Sequence, residues 1–391
     1  MPHLDPALPL NTLPQMLLDV AAVERNIGIK EAWTRERGMV LAPHIKTTMT
    51  GEIVRRQLPG SWGVTVATTA QAAQAIEWGA TRILIANEVL FRGHLEELRA
   101  RLTASPELEI YCLADSTAGV QAMAEVFEHS PRPLNVLIDV GTAGGRTGIR
   151  SEAEAGPLAA EVRAAQGLLL AGVSAYEGVA PNTRTDANLA GIDSHCRLAR
   201  DIFDELHATF EVDLPVFSNG GSAFQDRAAA FLPHSTSVNV LRSGCYVVHD
   251  HGTYQSVSPI PGLTAAVVVR ALVISAPEPG RVVLNAGKRE LAYDAGLPVI
   301  VSRFRNGALL PDGEGATLTR LFDHHASWTT QKACRSAISW IWASPTLAQC
   351  STAGVRSLLS AMTPSRPGVR CSRWSYSLVS QGKDSTRCSA F

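Results

Sequence analysis

The chain has 391 residues, 46% hydrophobic and 18% charged, with a formal net charge of −1. That composition supplies a large core, with length for two domains, and excludes a disordered, collagenous or disulfide-scaffold chain. Near-zero net charge leaves no electrostatic footprint for nucleic acid, and no run of about 18 apolar residues predicts a membrane span.

The N-terminus, MPHLDPALPLNTLPQ, lacks the basic-then-apolar pattern of a signal peptide, so the expected location is cytoplasmic. MLLDV (16–20) reads as a strand and 21–37 as a helix. MVLAPHIK (39–46) is a strand ending at a charged position, followed by a helix over 50–58. Strands at 63–68, 82–87, 108–114, 135–141, 168–176, 215–221 and 237–244 then alternate with helices at 70–78, 92–102, 116–128, 152–166, 188–210 and 225–231. Apolar strands alternating with amphipathic helices imply βαβ units and a parallel sheet covered on both faces. About eight such repeats fit a (β/α)8 TIM-type barrel over 15–252, with a doubly wound open sheet as the alternative. From 253 the texture changes to LTAAVVVRALVISA, RVVLNAG and LPVIVSRF, which predicts a β-rich, antiparallel second domain over 253–327. Residues 1–14 could join it.

The last 64 residues, from Trp328, differ from the rest. They hold eight Lys/Arg but one acid, Asp384, with 13 Ser, four of the seven Cys and four of the seven Trp. Residues 1–327 are net −8 and the remainder is net +7. Such a shift ordinarily marks a basic binding tail or a disordered extension. Cys334, Cys350, Cys371 and Cys388 lack CxxC spacing, which argues against a zinc site among them. Cys112, Cys196 and Cys245 stand singly in apolar or helical surroundings, as core thiols do.

Lys46, Asn87, Asp139, Tyr176, Asn219 and Arg242 each close an apolar run, and barrel ligands bind at the C-terminal ends of strands. Lys46 is either a surface lysine just past a strand or a desolvated amine able to form a Schiff base. In GTAGGRTGIR (141–150) the glycines let backbone approach a ligand, with Arg146 facing an anion or a ring nitrogen; a solvated loop arginine is the other reading. SNGGS (218–222) and LRSGCY (241–246) follow late strands. Gly220, Gly221, Ser222, Ser243 and Gly244 could present N–H and hydroxyl donors to a phosphate, or form two ordinary turns. Tyr176 could stack on a flat ligand, act as an acid or base, or be a core tyrosine. The histidines of VVHDHGTY (247–254) sit where a structural role is expected, and His324 and His325 are ambiguous. No GxGxxG lies where a dinucleotide site needs it.

A strand-end lysine, a glycine-flanked arginine and a late-loop anion cup suit pyridoxal 5'-phosphate. Over about residues 15–326, APHIKTTMTGEIVRRQL, VLIDVGTAGGRTGIR, SAYEG, NGGS, RSGCYVVHDHGTY and NAGKRELAYDAGLP resemble the D-threonine aldolase and D-serine dehydratase family. These are fold-type III enzymes with an alanine-racemase-like barrel. The resemblance implies that Lys46 carries the cofactor and that Arg146 sits by its ring nitrogen. Tyr176 would line it, and Gly221, Ser222, Gly244 and Cys245 would contact its phosphate. It further implies lyase chemistry on D-3-hydroxy amino acids (dehydratase or aldolase) with Lys46 and Tyr176 catalytic, and a homodimer. A racemase on the same fold, with Tyr293 as the tempting second base, and a non-catalytic cofactor-binding protein are the alternatives.

The family also uses a divalent metal, zinc or manganese, held by a His-x-Cys or His-x-Asp pair within HPCxxFDxWR. Here that region reads SPTLAQCSTAGVR, and the expected positions are Pro345, Thr346, Leu347 and Ala348, so the metal ligands are missing. Back-translating from Trp328 to Val355 with free synonymous codons and reading one nucleotide earlier allows LDDPKGLPVGDLLDLGIPHPCSVFDRWR. The restored motif predicts a frameshift near Ser327, an aberrant and poorly ordered 328–391, and impaired activity of the chain as written.

Overall fold

The computed structural model describes residues 13–293, 296–305, 308–310, 317–329 and 339–344. The chain begins with β1 (Gln15–Leu18) and α1 (Val20–Arg35) and then enters the alternating series. The strands are β2 (Val40–Leu41), β3 (Val64–Val66), β4 (Arg82–Glu88), β5 (Glu109–Ala114), β6 (Leu134–Val140), β7 (Leu168–Ala175), β8 (Val216–Ser218) and β9 (Val238–Leu241). Between them lie α2 (Gly51–Gln57), α3 (Thr69–Glu77), α4 (Arg92–Ala104), α5 (Thr117–Phe127), α6 (Glu152–Ala164), α7 (Asp186–Leu206) and α8 (Gln225–Ala230).

All eight strands are parallel, in the order β2-β9-β8-β7-β6-β5-β4-β3. The ends of that order meet. His44 bridges Thr65, and the N–H groups of Trp62 and Thr65 donate to the carbonyls of Leu41 and Pro43 at 2.8 and 2.9 Å. The sheet is therefore a barrel, as expected, and the doubly wound alternative falls away.

Alternation along each strand separates two cores. Leu84, Tyr111, Leu113, Leu137, Val216 and Val240 fill the barrel interior, while Ile83, Ile85, Ile110, Cys112, Val136 and Ile138 pack outward against the helices. Near-continuous apolar runs are what two-sided burial demands. Several helix starts are set by side-chain caps: Asp19 accepts from the Ala22 N–H, Thr68 from Gln71 and Ser116 from Gly119.

After α9 (Thr253–Val257) the antiparallel strands follow: β10 (Val267–Glu278), β11 (Arg281–Leu284), β12 (Val299–Arg305), β13 (Ala308–Leu309), β14 (Thr317–Leu321), β15 (Ala326–Thr329) and β16 (Ser339–Ser344). Their order is β13-β12-β16-β10-β11-β15-β14, packed around Val269, Ala271, Val282, Leu284, Leu318, Leu321 and Trp328.

Two expectations are corrected. The strand predicted at 16–20 does not open the barrel: β1 pairs antiparallel with β10, Gln15 opposite Arg270 and Leu18 opposite Val267. A glutamine and three apolar residues carry no mark of parallel or antiparallel pairing, and the first barrel strand is β2. The segment from Trp328 is also not wholly outside the fold. Trp328 and Thr329 end β15, and β16 lies between β10 and β12. Alternating Trp and Ile in SWIWAS suit a strand whichever frame encoded them. Pro345, Thr346, Leu347, Ala348 and residues 351–391 lie outside the described residues.

Candidate active site

The site forms at the C-terminal mouth of the barrel. Beyond β2 the chain makes a 3-10 turn, Ile45–Thr47, which lifts Lys46 above the strand ends. Its side chain is open to the mouth, yet the surrounding protein lowers its pKa below the usual lysine value, first by desolvation and then by the nearby charge of Arg146. His44, two residues earlier, is held neutral well below the usual range by burial and by the Lys46 charge. Its Nδ1 has no partner among the described residues.

Two aspartates pin the loop carrying Arg146. Asp139 at the end of β6 accepts from Thr147 Oγ1 at 2.9 Å, and Asp115 accepts from the Gly148 N–H at 2.8 Å. Gly148 lies at φ +101°, where a Cβ would meet the Gly141 nitrogen at 2.3 Å, so the turn requires glycine. The loop delivers the exposed Arg146 guanidinium over the Tyr176 ring, 4.9 Å from its centroid. Burial pushes the Tyr176 phenol up to about 12, with the neighbouring Glu177 adding to the shift, so the hydroxyl stays protonated.

Opposite lie the loops after β8 and β9. Ser222 Oγ accepts from the N–H groups of Gly244 and Cys245 at 3.3 and 3.2 Å. The approach is close: a Cβ on Gly244 would sit 2.4 Å from the His44 carbonyl and 2.7 Å from Thr47 Oγ1, and one on Gly221 would meet the Tyr176 ring at 2.8 Å. Arg242 is buried, and one of its terminal nitrogens donates to the Ala175 carbonyl. Its Nε is buried without a partner among the described residues. The Cys245 thiol is buried, pushed up by desolvation, and 3.8 Å from Thr47 Oγ1; its backbone N–H donates to Ser222 Oγ.

Lys46, Arg146, Tyr176, Gly221, Ser222, Gly244 and Cys245 thus come together from five loops. The chemistry of the donor set fits pyridoxal phosphate: an amine whose pKa is lowered by desolvation, a guanidinium beside an aromatic ring, and paired N–H groups with a hydroxyl in a cup too tight for side chains. Among the described residues no group of three or more His, Cys, Asp or Glu could hold an ion. His249 and His251 flank Asp250, whose carboxylate accepts from the N–H groups of Gly252, Tyr254 and Gln255 and caps α9. His324 Nδ1 donates to Glu290 Oε1 at 2.8 Å on the surface. Tyr293 is exposed in the second domain.

Sequence reasoning passed over four residues. Glu177 is fully buried and accepts from the Gly221 N–H at 2.7 Å. It also lines a cavity of about 310 Å³ with Thr142, Val179, Asn188 and His195. Lys30, Gln225 and His44 are the others. The available signal for Lys30 was its place on the apolar stripe of α1, with Val23, Ile27 and Trp33.

A parallel barrel with a lysine at one strand end, followed by an antiparallel domain, defines a class of two-domain enzyme folds. The chain belongs to the alanine racemase N-terminal domain family, which matches residues 18–251, and a putative serine dehydratase domain matches 266–340. It is 27% identical over 327 residues to D-threonine aldolase from Arthrobacter sp, covering 82% of this chain and 80% of that protein. It is 25% identical over 296 residues to D-threo-3-hydroxyaspartate dehydratase from Delftia sp. (strain HT23), covering 75% of each. The fold is similar to that of D-threonine aldolase from Filomicrobium marinum, with a TM-score of 0.73, 23% identity and coverage of 88% and 89% of the two chains. Among the described residues no helix is long and apolar enough to cross a membrane.

Proposed function

We propose that the chain is a pyridoxal-phosphate-dependent lyase acting on D-3-hydroxy amino acids. The convergence of Lys46, Arg146 and the Ser222-centred anion cup at one barrel mouth carries this reading, and the named aldolase and dehydratase relatives support it. Bound pyridoxal phosphate supplies an aldehyde for the substrate amine and a ring that draws electrons from Cα.

In this reading Lys46 would anchor the cofactor and, once free, take the Cα proton; desolvation and the Arg146 charge lower its pKa, which favours that role. Ser222 and the N–H groups of Gly244 and Cys245 would hold the phosphate. Arg146 would face the ring nitrogen; a guanidinium does not release a proton, so that nitrogen stays unprotonated. Tyr176 would line the ring and orient substrate through its protonated hydroxyl. In this reading the barrel domain would take 15–252 apart from β1, and the second domain would begin at 253, its sheet including β1, β15 and β16.

The test is spectroscopic and catalytic together. The chain should bind pyridoxal phosphate with a visible absorption band that Lys46→Ala abolishes. Turnover of D-serine to pyruvate, or of D-threonine to glycine and acetaldehyde, then separates a lyase from a non-catalytic binder. Interconversion of D- and L-alanine without either product would favour a racemase.

We also infer that the reading frame slips near Ser327. Trp328, the first residue beyond that point, is buried with its indole Nε1 unpartnered among the described residues, whereas the leucine of the shifted frame has no donor to satisfy. The chain as written should be weakly active, and a frame-restored chain should regain activity with added zinc or manganese. Sequencing the gene decides the point: reads and C-terminal peptides supporting the written frame refute it.

A further inference from the structure

Lys30 is fully buried on α1, on the far side of the phosphate-cup loops from the barrel mouth. Its amine donates to Ser243 Oγ at 2.9 Å and to Gln225 Oε1, and lies over the rings of Trp33 and Tyr246 at 5.1 and 5.6 Å. Both polar partners reach onward. Ser243 Oγ donates to the Gly221 carbonyl, and Gln225 Nε2 donates to the Ser222 carbonyl at 3.3 Å. The amine therefore holds Ser243 of one loop directly, and Gly221 and Ser222 of the other through single intermediaries.

A buried ammonium is costly unless a counter-charge lies near. Among the described residues no carboxylate forms an ion pair with Lys30. Glu177 acts on it only at a distance, and its own carboxyl is engaged by the Gly221 N–H. Among the described residues, the cup its partners shape, where the Gly244 and Cys245 N–H groups converge on Ser222 Oγ, is placed to receive an anion.

We propose that Lys30 is a positioning residue for the cofactor phosphate: from behind the cup it fixes both loops through Ser243 and Gln225, and the bound phosphate supplies the negative charge its amine lacks. The proposal rests on the pyridoxal-phosphate reading and deepens it. It assigns phosphate recognition partly to a helix that contributes nothing to the barrel mouth.

The experiment compares the full chain and its Lys30→Met variant, each stripped of cofactor, in binding pyridoxal phosphate and phosphate-free pyridoxal, read by the visible band. Inorganic phosphate is added as competitor. Loss of a hydrogen-bonded charge predicts a drop of roughly ten- to a hundredfold in affinity for pyridoxal phosphate. Pyridoxal binding should stay unchanged and competition by inorganic phosphate should fade. Equal losses for both ligands would mean a merely structural lysine and overturn the proposal, as would no loss at all. Ser243→Ala removes the intermediary while leaving the lysine, and should show the same phosphate-selective loss in smaller measure; it carries the test should Lys30→Met not fold. If the unaltered chain shows no Lys46-dependent band, the cofactor reading fails and this proposal with it. If the band is present and both variants keep full selectivity, only the role of Lys30 fails.

Discussion

Glu88, at the end of β4, should make the protein less stable as pH rises, and Glu88→Gln should remove that dependence. Neither carboxylate oxygen has a hydrogen-bond partner among the described residues, and both are buried. Desolvation first, then the nearby charges of Asp115 and Asp139, push the carboxyl from 4.5 up to about 8. Between these values the folded protein keeps a proton that the unfolded chain has released, so stability falls as pH rises through this window. At roughly 1.4 kcal/mol per pH interval the full effect is bounded at about 5 kcal/mol. The side chain is incompletely buried, so water relaxing around the ionised form should leave about 2 kcal/mol. Urea denaturation of both proteins at pH 5 and pH 8 measures this directly. Near pH 5 they should be similar, and at pH 8 the glutamine variant should be the more stable by about 2 kcal/mol. A difference that is the same at both pH values would refute the argument, because an effect independent of ionisation is one of packing.

Gly244→Ala should weaken cofactor binding and lower thermal stability, since its Cβ would stand 2.4 Å from a backbone carbonyl that has no rotamer to yield; overpacking of this kind costs about 1–3 kcal/mol, read by cofactor titration and a melting curve. Arg184→Ala should cost about 2 kcal/mol in urea denaturation, because the half-buried guanidinium pairs with Asp226 and also donates to the Ala223 and Val257 carbonyls at 3.2 Å. With Lys46→Ala, the visible band should vanish while the melting temperature changes little, since an amine open to the barrel mouth contributes little to packing.

The barrel was legible because each of its parts leaves a local mark. Runs such as RILIAN and EIYCLA are apolar on both faces, helices follow at regular intervals, and Ser116 and Thr68 announce helix starts. The candidate site residues at strand ends were legible for the same reason: Lys46, Tyr176 and Arg242 interrupt an apolar run where the strand leaves the sheet. What failed was pairing. β1 is separated from its partner β10 by the entire barrel, and nothing in Gln15–Leu18 encodes a neighbour some 250 residues away.

The same limit explains the buried charges. Lys30, Glu177 and Arg242 surround the cup from α1, the loop after β7 and the end of β9. Each shifts toward its neutral form through desolvation, and for Arg242 and Lys30 the opposing influence includes Glu177. A charge on an apolar helix stripe is ordinarily carried to solvent along its aliphatic stem. Lys30 departs from that because Ser243 and Gln225 meet it inside, and these residues lie about 200 positions further along the chain. Whether a lysine on such a stripe snorkels or stays buried is decided by acceptors brought to it from distant sequence, so the local pattern is the same in both cases. The burial becomes intelligible only when the loops that supply the acceptors are also seen to form an anion cup.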